Sequence, residues 1–456
     1  MKTKLKLTET AAVASLLFGL FFGAGNLIFP VHLGQSAGAR VGIAAIGFLV
    51  TGVGIPLLGV AALGMSKSRD LLEMSSRTGR KYGIFFTCLL YLTIGPFFAI
   101  PRCASTSFSV GIAPMIENEH TAKYLLWLFS FLFFAVVLFF SLRPGKILTY
   151  VGKVLTPLFL ISLGILIVSA LLHPIGNYQV AEPEEAYATM PLFKGILEGY
   201  NTMDALAGLA FGIVVIKVIR DLGVKEPGAV AACTLKSGVF GCSVMAVIYV
   251  ALMLIGAQSR AVYPVSADGG EALHLIAHHY FGDVGAIILA VIVTLACLKT
   301  AVGLITSCSE TFCTIFPAGP SYKIWTTGFC IFSFFVATMG LASIITYSVP
   351  VLMFLYPLAI ILILLALSGN LFQHNRTVYV ITTLFTMVAA VFDFMNALPA
   401  PWREVAVAKN IVFLGNMLPF SQYGLGWICP ALLGFLTGFC AYHIKEHKRR
   451  VEKNLK

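Results

Sequence analysis

Two polar interruptions lie inside long apolar runs, and their residue types suit the binding of a small charged molecule. One is Phe21-Phe22-Gly23-Ala24-Gly25-Asn26; the other is Gly199-Tyr200-Asn201-Thr202-Met203-Asp204, followed by Gly208 and Gly212. A helix broken at mid-membrane exposes peptide groups that an intact helix would pair. The N–H groups at a half-helix start carry the positive end of its dipole and can hold a carboxylate. Carbonyls at the other half's end can hold a cation or an ammonium. A zwitterion needs both. Gly23 and Gly25 let the backbone leave helical dihedrals and approach a ligand. Asn26 offers a neutral carbonyl oxygen, suited to a cation or to pinning the unwound turn. The competing reading of Gly23-x-Gly25 alone is close helix packing by small residues. Asn26 and the matching second interruption weigh toward a site.

Three ionisable residues, Arg102, Asp204 and Lys299, also sit deep in apolar runs. Such residues are expensive in lipid and are functional candidates by default. The structural alternative is an ion pair that fixes helix register, since buried charges are rarely left unpaired. Glu310 and Asp393 lie nearer the ends of their runs, where interfacial solvation or capping is expected.

The elements that must position these residues are membrane helices. The chain has 456 residues, 58% hydrophobic and 11% charged, against about 25% charged in soluble proteins. The apolar runs are continuous and about 20 residues long, enough to cross a ~30 Å hydrocarbon layer, without period-2 alternation. An all-α polytopic membrane protein is therefore expected. Twelve spans are read, at 9–32, 40–65, 82–113, 122–142, 147–172, 193–220, 229–257, 284–314, 323–347, 349–368, 376–397 and 424–443. The first is preceded by Lys2, Lys4 and Lys6 but lacks a small-x-small cleavage site, so it reads as an uncleaved helix.

The net charge of +11 is distributed against a nucleic-acid partner. With the N-terminus inside, the inside segments hold 22 cations: Lys2, Lys4, Lys6, Lys67, Arg69, Arg77, Arg80, Lys81, Arg143, Lys146, Lys153, Lys217, Arg220, Lys225, Lys323, Arg376 and six in 445–456. The outside segments hold six: Arg40, Lys123, Lys194, Arg260, Arg403 and Lys409. This is a positive-inside signature with both termini cytoplasmic, in a bacterial-type inner membrane. The basic tail 444–456 then faces anionic lipid headgroups.

The chain reads as one membrane domain. The interrupted spans head two successive five-helix blocks, 1–172 and 193–368, with two further helices in 376–443. Five is odd, so the second block enters from the opposite side, as an inverted repeat requires. Glu271, His274, His278 and His279 lie in the outside loop 258–283 at helical spacing. A His pair four apart can ligate zinc, but an exposed loop helix is the expected reading. The ten cysteines show neither metal-knuckle nor disulfide spacing.

Several long motifs, in order, resemble the branched-chain amino acid:cation symporters (the LIVCS family, BrnQ type). They are Phe21-Phe22-Gly23-Ala24-Gly25-Asn26-Leu27-Ile28-Phe29-Pro30, Gly95-Pro96-Phe97-Phe98-Ala99-Ile100-Pro101-Arg102 and Gly199-Tyr200-Asn201-Thr202-Met203-Asp204-Ala205-Leu206. Ala296-Cys297-Leu298-Lys299-Thr300-Ala301-Val302-Gly303-Leu304 and Gly424-Leu425-Gly426-Trp427 complete the set. The resemblance implies a LeuT-like 5+5 core with helices 1 and 6 broken, plus two peripheral helices. It implies import of leucine, isoleucine or valine with Na⁺ or H⁺, with no cofactor and no obligate protein partner.

By the same likeness, Phe22, Gly23, Ala24, Gly25 and Asn26 would belong to the substrate site, with the amides near Ala24, Gly25 and Asn26 holding the substrate carboxylate. Tyr200, Asn201, Thr202 and Met203 would meet the ammonium and part of the side chain. Phe97, Phe98 and Met203 would form apolar walls. Spans 3 and 6 would be neighbours, which favours an Arg102–Asp204 ion pair, with Asp204–Lys299 as the rival. A cation site would be lined by the Gly19, Phe22 and Ala296 backbone and the Thr300 hydroxyl. Lys299 departs from that pattern: either its ammonium takes the cation's place, or Lys299 points elsewhere and Na⁺ still binds through Thr300.

Other classes fit less well. A channel would want a repeated pore loop or a ring of like charges. A membrane enzyme would want His or carboxylates clustered near one face. A sensor built on a transporter fold stays open, as does a transporter of another neutral amino acid.

Overall fold

A computed structural model describes residues 2–66, 68, 70–116, 118–143 and 156–454, which form helices joined by short turns. Lys67, Arg69, Lys146, Lys153, Lys456 and the first part of the span expected at 147–172 lie outside the described residues.

The first interruption separates α1 (Leu7–Phe21) from α2 (Gly25–Ala37). Phe22 is extended, with φ −74° and ψ 101°. A short turn leads into α3 (Val41–Leu49) and α4 (Ile55–Met65). Next come α5 (Arg80–Leu92), α6 (Ala99–Gly111), α7 (Glu119–Ser141) and α8 (Thr156–Leu172). The second interruption separates α9 (Pro191–Asn201) from α10 (Asp204–Asp221), with Met203 left-handed at φ 62°. The chain continues through α11 (Pro227–Ser259), α12 (Gly269–Ile315), α13 (Tyr322–Ala337), α14 (Leu341–Leu367), α15 (Arg376–Asn396) and α16 (Ile428–Asn454).

Eight helical stretches among the described residues are long and apolar enough to cross a membrane. This is a multi-pass membrane protein. Twelve spans were expected, and the helices do not divide as that reading divides the chain. Leu7–Phe21 is apolar but short, while Gly25–Met65 runs through two expected spans as one 41-residue stretch.

Two boundaries differ from the sequence reading. The turn expected at 348 lies instead at 338–340, where Gly340 has φ +84°. Pro350 and Pro357 are inside α14, and a membrane helix tolerates proline when neighbours satisfy the freed carbonyls. The loop helix carrying His274 is not exposed. It joins the following span across a kink at Gly282, with φ 62° and ψ −161°. Its residues Leu273, His274 and Ile276 are buried. A Cβ on Gly269 would lie 1.9 Å from the Ile28 carbonyl oxygen, so this helix rests directly on α2.

The core is held by two similar crossings. α2 packs along α11, and α9 packs along α3. Each relies on glycine: a Cβ on Gly34 would lie 2.0 Å from the Met253 carbonyl oxygen, and one on Gly195 would lie 2.0 Å from that of Ala44. Backbones this close exclude any side chain. Gly34→Val should therefore cost about 3 kcal/mol or more, at the upper end of overpacking effects. The expected readout is loss of monodisperse protein in detergent; normal recovery and melting would show that α2 and α11 can separate without loss. At the other end of the interrupted helices, Lys2 Nζ lies 2.6 Å from Glu9 and 3.3 Å from the Leu222 carbonyl oxygen. The start of α1 thus sits beside the end of α10. α15 and α16 pack on each other, with α15 also along α14.

Candidate functional site

The two interruptions meet. Met203 turns the chain so that Asp204 opens α10 beside the start of α2. Asp204 is 1% exposed. Its carboxylate accepts from Asn26 Nδ2 at 3.0 and 2.8 Å and from the Tyr249 hydroxyl at 2.7 Å. Tyr249 also contacts Asn26 Nδ2. Asn26 Oδ1 in turn accepts from the Gly23 N–H at 2.8 Å. One asparagine therefore fixes the first break and ties it to the start of the second half-helix. Thr202 Oγ1 donates to the Gly199 carbonyl at 2.9 Å and accepts from Asp204 N–H at 3.3 Å, closing the second break.

Arg102 approaches from α6. Its Nη1 donates to the Asn201 carbonyl at 2.6 Å, and its guanidinium lies over the Phe29 ring, 5.0 Å from the centroid. A Cβ on Gly25 would sit 2.7 Å from Nη2. Here glycine is required so that the arginine can lie against the start of α2.

A cavity of about 40 Å³ lies between these groups, lined by Gly23, Ala24, Gly25, Asn26, Arg102, Thr202, Met203, Asp204 and Thr300. Leu20, Phe21, Ile94, Phe211 and Leu304 supply apolar surface on one side. The expected Arg102–Asp204 ion pair is not made, nor is Asp204–Lys299. No acid–base contact within 4 Å joins these groups. Asp204 accepts from neutral donors, and Arg102 donates to a carbonyl while its Nε is buried without a hydrogen-bond partner. Both line the cavity, and among the described residues neither has a salt-bridge partner within 4 Å.

A family model described as branched-chain amino acid transport protein matches residues 6–445. The chain belongs to that family. Among relatives of this branched-chain amino acid transport family, the branched-chain amino acid permease BrnQ of Lactobacillus delbrueckii subsp. lactis is 53% identical, covering 95% of this chain and 97% of that one. The permease BrnQ of Bacillus subtilis (strain 168) is 40% identical over 97% and 98% of the two chains. The branched-chain amino acid transport system 2 carrier protein of Pseudomonas aeruginosa is 38% identical over 95% and 96%. Among solved structures, Mhp1 in its inward-facing conformation matches with a TM-score of 0.60 at 12% identity, covering 96% of this chain and 91% of that one. Mhp1 in a closed conformation, described as a nucleobase-cation-symport-1 family transporter with bromovinylhydantoin bound, matches at 0.54 and 11%, covering 95% and 92%. That likeness concerns the fold alone.

In this member of the branched-chain amino acid transport family, several residues singled out from the motifs stand apart from the cavity. Phe22 stacks on Phe18 and Tyr249. Phe97 packs on Phe332, with centroids 5.2 Å apart, because Gly95 leaves helical geometry and Pro96 follows it. Phe98 is buried beside it, off the cavity wall. Tyr200 stacks on Tyr356 at 4.1 Å. Asn201 contributes its carbonyl to Arg102 rather than a side chain to the cavity. In the expected cation site, Thr300 Oγ1 donates to the Ala296 carbonyl at 3.1 Å. A Cβ on Gly19 would lie 3.1 Å from Lys299 Nζ, so that ammonium rests against the end of α1.

Three features were not found from sequence. Tyr249, in an apolar stretch of α11, carries no local signal and is identified only by its contact with Asp204. Asp393, for which interfacial solvation or capping was expected, is 4% exposed and lies against the Gly426–Trp427 backbone. His274 Nδ1 pairs with the Val110 carbonyl at 2.8 Å and His278 Nε2 with Asp283 at 2.9 Å. No group of three or more potential His, Cys, Asp or Glu metal ligands occurs among the described residues.

Proposed function

We propose that the protein imports branched-chain amino acids across the cell membrane by alternating access, and that the zwitterion sits between Arg102 and Asp204. One observation carries this reading: a buried guanidinium and a buried carboxylate border the same cavity, and among the described residues neither has a salt-bridge partner within 4 Å. A buried charge without an ionic partner is costly. A substrate carboxylate beside Arg102 and the Ala24–Asn26 amides, with its ammonium toward Asp204 and the 200–203 turn, would satisfy both charges. Met203, Phe21, Ile94 and Phe211 would enclose the aliphatic side chain. One methylene is worth only ~1–3 kcal/mol in such a pocket, so overlapping uptake of leucine, isoleucine and valine is expected. The cavity is too small for a whole amino acid as it stands, so the helices must part to load it.

The relatives, each named as a permease or carrier of branched-chain amino acids, support the substrate class. We further read the chain as twelve spans with a 5+5 inverted repeat, spans 1 and 6 broken and both termini cytoplasmic. The α2–α11 and α10–α4 crossings, which such a repeat would exchange, and the charge asymmetry support this arrangement.

For the coupling ion, Lys299 is the residue of interest. Its ammonium lies against the α1 end, where a sodium ion was expected, which favours H⁺ coupling over Na⁺. Labelled leucine uptake into proteoliposomes tests this. An imposed pH gradient should drive accumulation, and a Na⁺ gradient alone should change it by less than about twofold, because an ammonium and a sodium ion cannot share one site. Lys299→Thr should lose the pH-driven component. Strong Na⁺ stimulation of the wild type would remove the lysine-as-cation idea. Leucine binding without accumulation under either gradient would favour a sensor.

A further inference from the structure

We infer that a second cavity, adjoining the central one through Asn201, is an additional binding site for a zwitterionic amino acid. This rests on the amino-acid reading above but concerns a different place in the fold. The cavity measures about 240 Å³ and lies between α9, α14, the end of α15 and the turn at Gly424. It has six times the space of the central one, about 40 Å³.

Its polar groups point to a cationic head. Three charged side chains line it: Lys194, Glu198 and Asp393. Lys194 Nζ lies 3.0 Å from Glu198 Oε1, so those two compensate each other. Asp393 is left as the carboxylate with no cation beside it. One of its oxygens lies against the Gly426–Trp427 backbone. The other, Oδ2, is buried and has no hydrogen-bond partner. The hydroxyl of Tyr200, another lining residue, lies beside the indole N–H of Trp427. A buried carboxylate oxygen without a donor is exceptional, and a bound donor would satisfy it. An ammonium donates to a carboxylate, which Asp393 Oδ2 supplies. A substrate carboxylate would accept from Lys194 and the Asn396 amide, also on the wall. Leu197, Leu352 and Met353 form the apolar side, matched to a branched aliphatic chain.

Asn201 joins the two cavities. Its Nδ2 donates to Glu198 Oε2 at 2.9 Å, while its carbonyl accepts from Arg102 at 2.6 Å. An occupant that pulls on Glu198 or Lys194 therefore acts on the residue that holds Arg102 in the central site.

The test is the stoichiometry of radiolabelled leucine bound to the purified full-length protein in detergent, by equilibrium dialysis in sodium-free buffer. Wild type should bind two leucines per chain. Asp393→Asn should bind one, and so should Ala397→Trp, which fills the cavity from its wall without touching a charge. Monodisperse elution of either variant establishes folding, and the two together separate charge from volume. One leucine in wild type, unchanged in both variants, would overturn the second site and leave the central one standing. No leucine bound to folded wild type would overturn the amino-acid reading itself. Two leucines in wild type and in both variants would move the second site elsewhere and also overturn this proposal. A parallel dialysis with radiolabelled sodium covers the remaining source of positive charge. Sodium lost in Asp393→Asn, with leucine at one per chain throughout, would overturn the substrate assignment in favour of an inorganic cation.

Discussion

Asp204→Asn should lower leucine uptake about a hundredfold or more while leaving the protein folded. The carboxylate accepts from both Asn26 and Tyr249, and an amide can accept at only one of its two positions. Its NH₂ would face a donor wherever it pointed. Asn26 cannot turn over to help, because its oxygen is held by the Gly23 N–H at 2.8 Å. Turning it would release the first break. Hydrogen bonds to a charged group are each worth about 1.5–3 kcal/mol, and the substrate ammonium would lose its anionic partner as well. A total of about 3 kcal/mol corresponds to about a hundredfold. Initial uptake rates in vesicles, at leucine well below saturation, measure the loss. Elution in detergent separates it from misfolding. Uptake within a fewfold of wild type would take Asp204 out of the site, and with it the zwitterion geometry.

Much of this site was legible because its signals are local. Glycines and an asparagine inside an apolar run stand out without knowledge of the fold, and so do a lone arginine and a lone aspartate. What could not be read is which groups face each other. Arg102 and Asp204 looked like partners because opposite buried charges usually pair. Here the helices hold them apart around a space, and each hydrogen-bonds to neutral groups instead: the Asn201 carbonyl for the arginine, Asn26 and Tyr249 for the aspartate. Phe97 was assigned to a wall by its position in a motif, yet the backbone departs from helical geometry at Gly95, two residues earlier, and side-chain direction follows the backbone. Asp393 illustrates the same limit. Counting residues from a span end gives depth but not cover, and the cover comes from Gly426 and Trp427, more than thirty positions away. The boundary read at 348 falls two residues before Pro350, which the structure places inside a helix, as a membrane bundle tolerates.

The complementary experiment removes the positive side. Arg102→Gln keeps a donor near the Asn201 carbonyl but loses the charge. If the guanidinium meets the substrate carboxylate, leucine affinity should fall about a hundredfold, within the 2–5 kcal/mol that truncating one member of a buried charge pair costs. The more telling readout is competition by leucinol, which has the ammonium and the side chain but no carboxylate. Wild type should prefer leucine to leucinol by about a hundredfold or more, since sites built for a polar group reject analogues that lack it. Arg102→Gln should shrink that preference to within about tenfold. A variant that weakened both ligands equally would mark Arg102 as a strut for the α9 end rather than a contact. Gly25→Ala separates position from charge. It keeps the arginine, but its Cβ would fall 2.7 Å from Nη2, so the guanidinium must move. If discrimination drops there too, the location of the charge sets the specificity, and the glycine that opens the second half of the first broken helix is what allows that location.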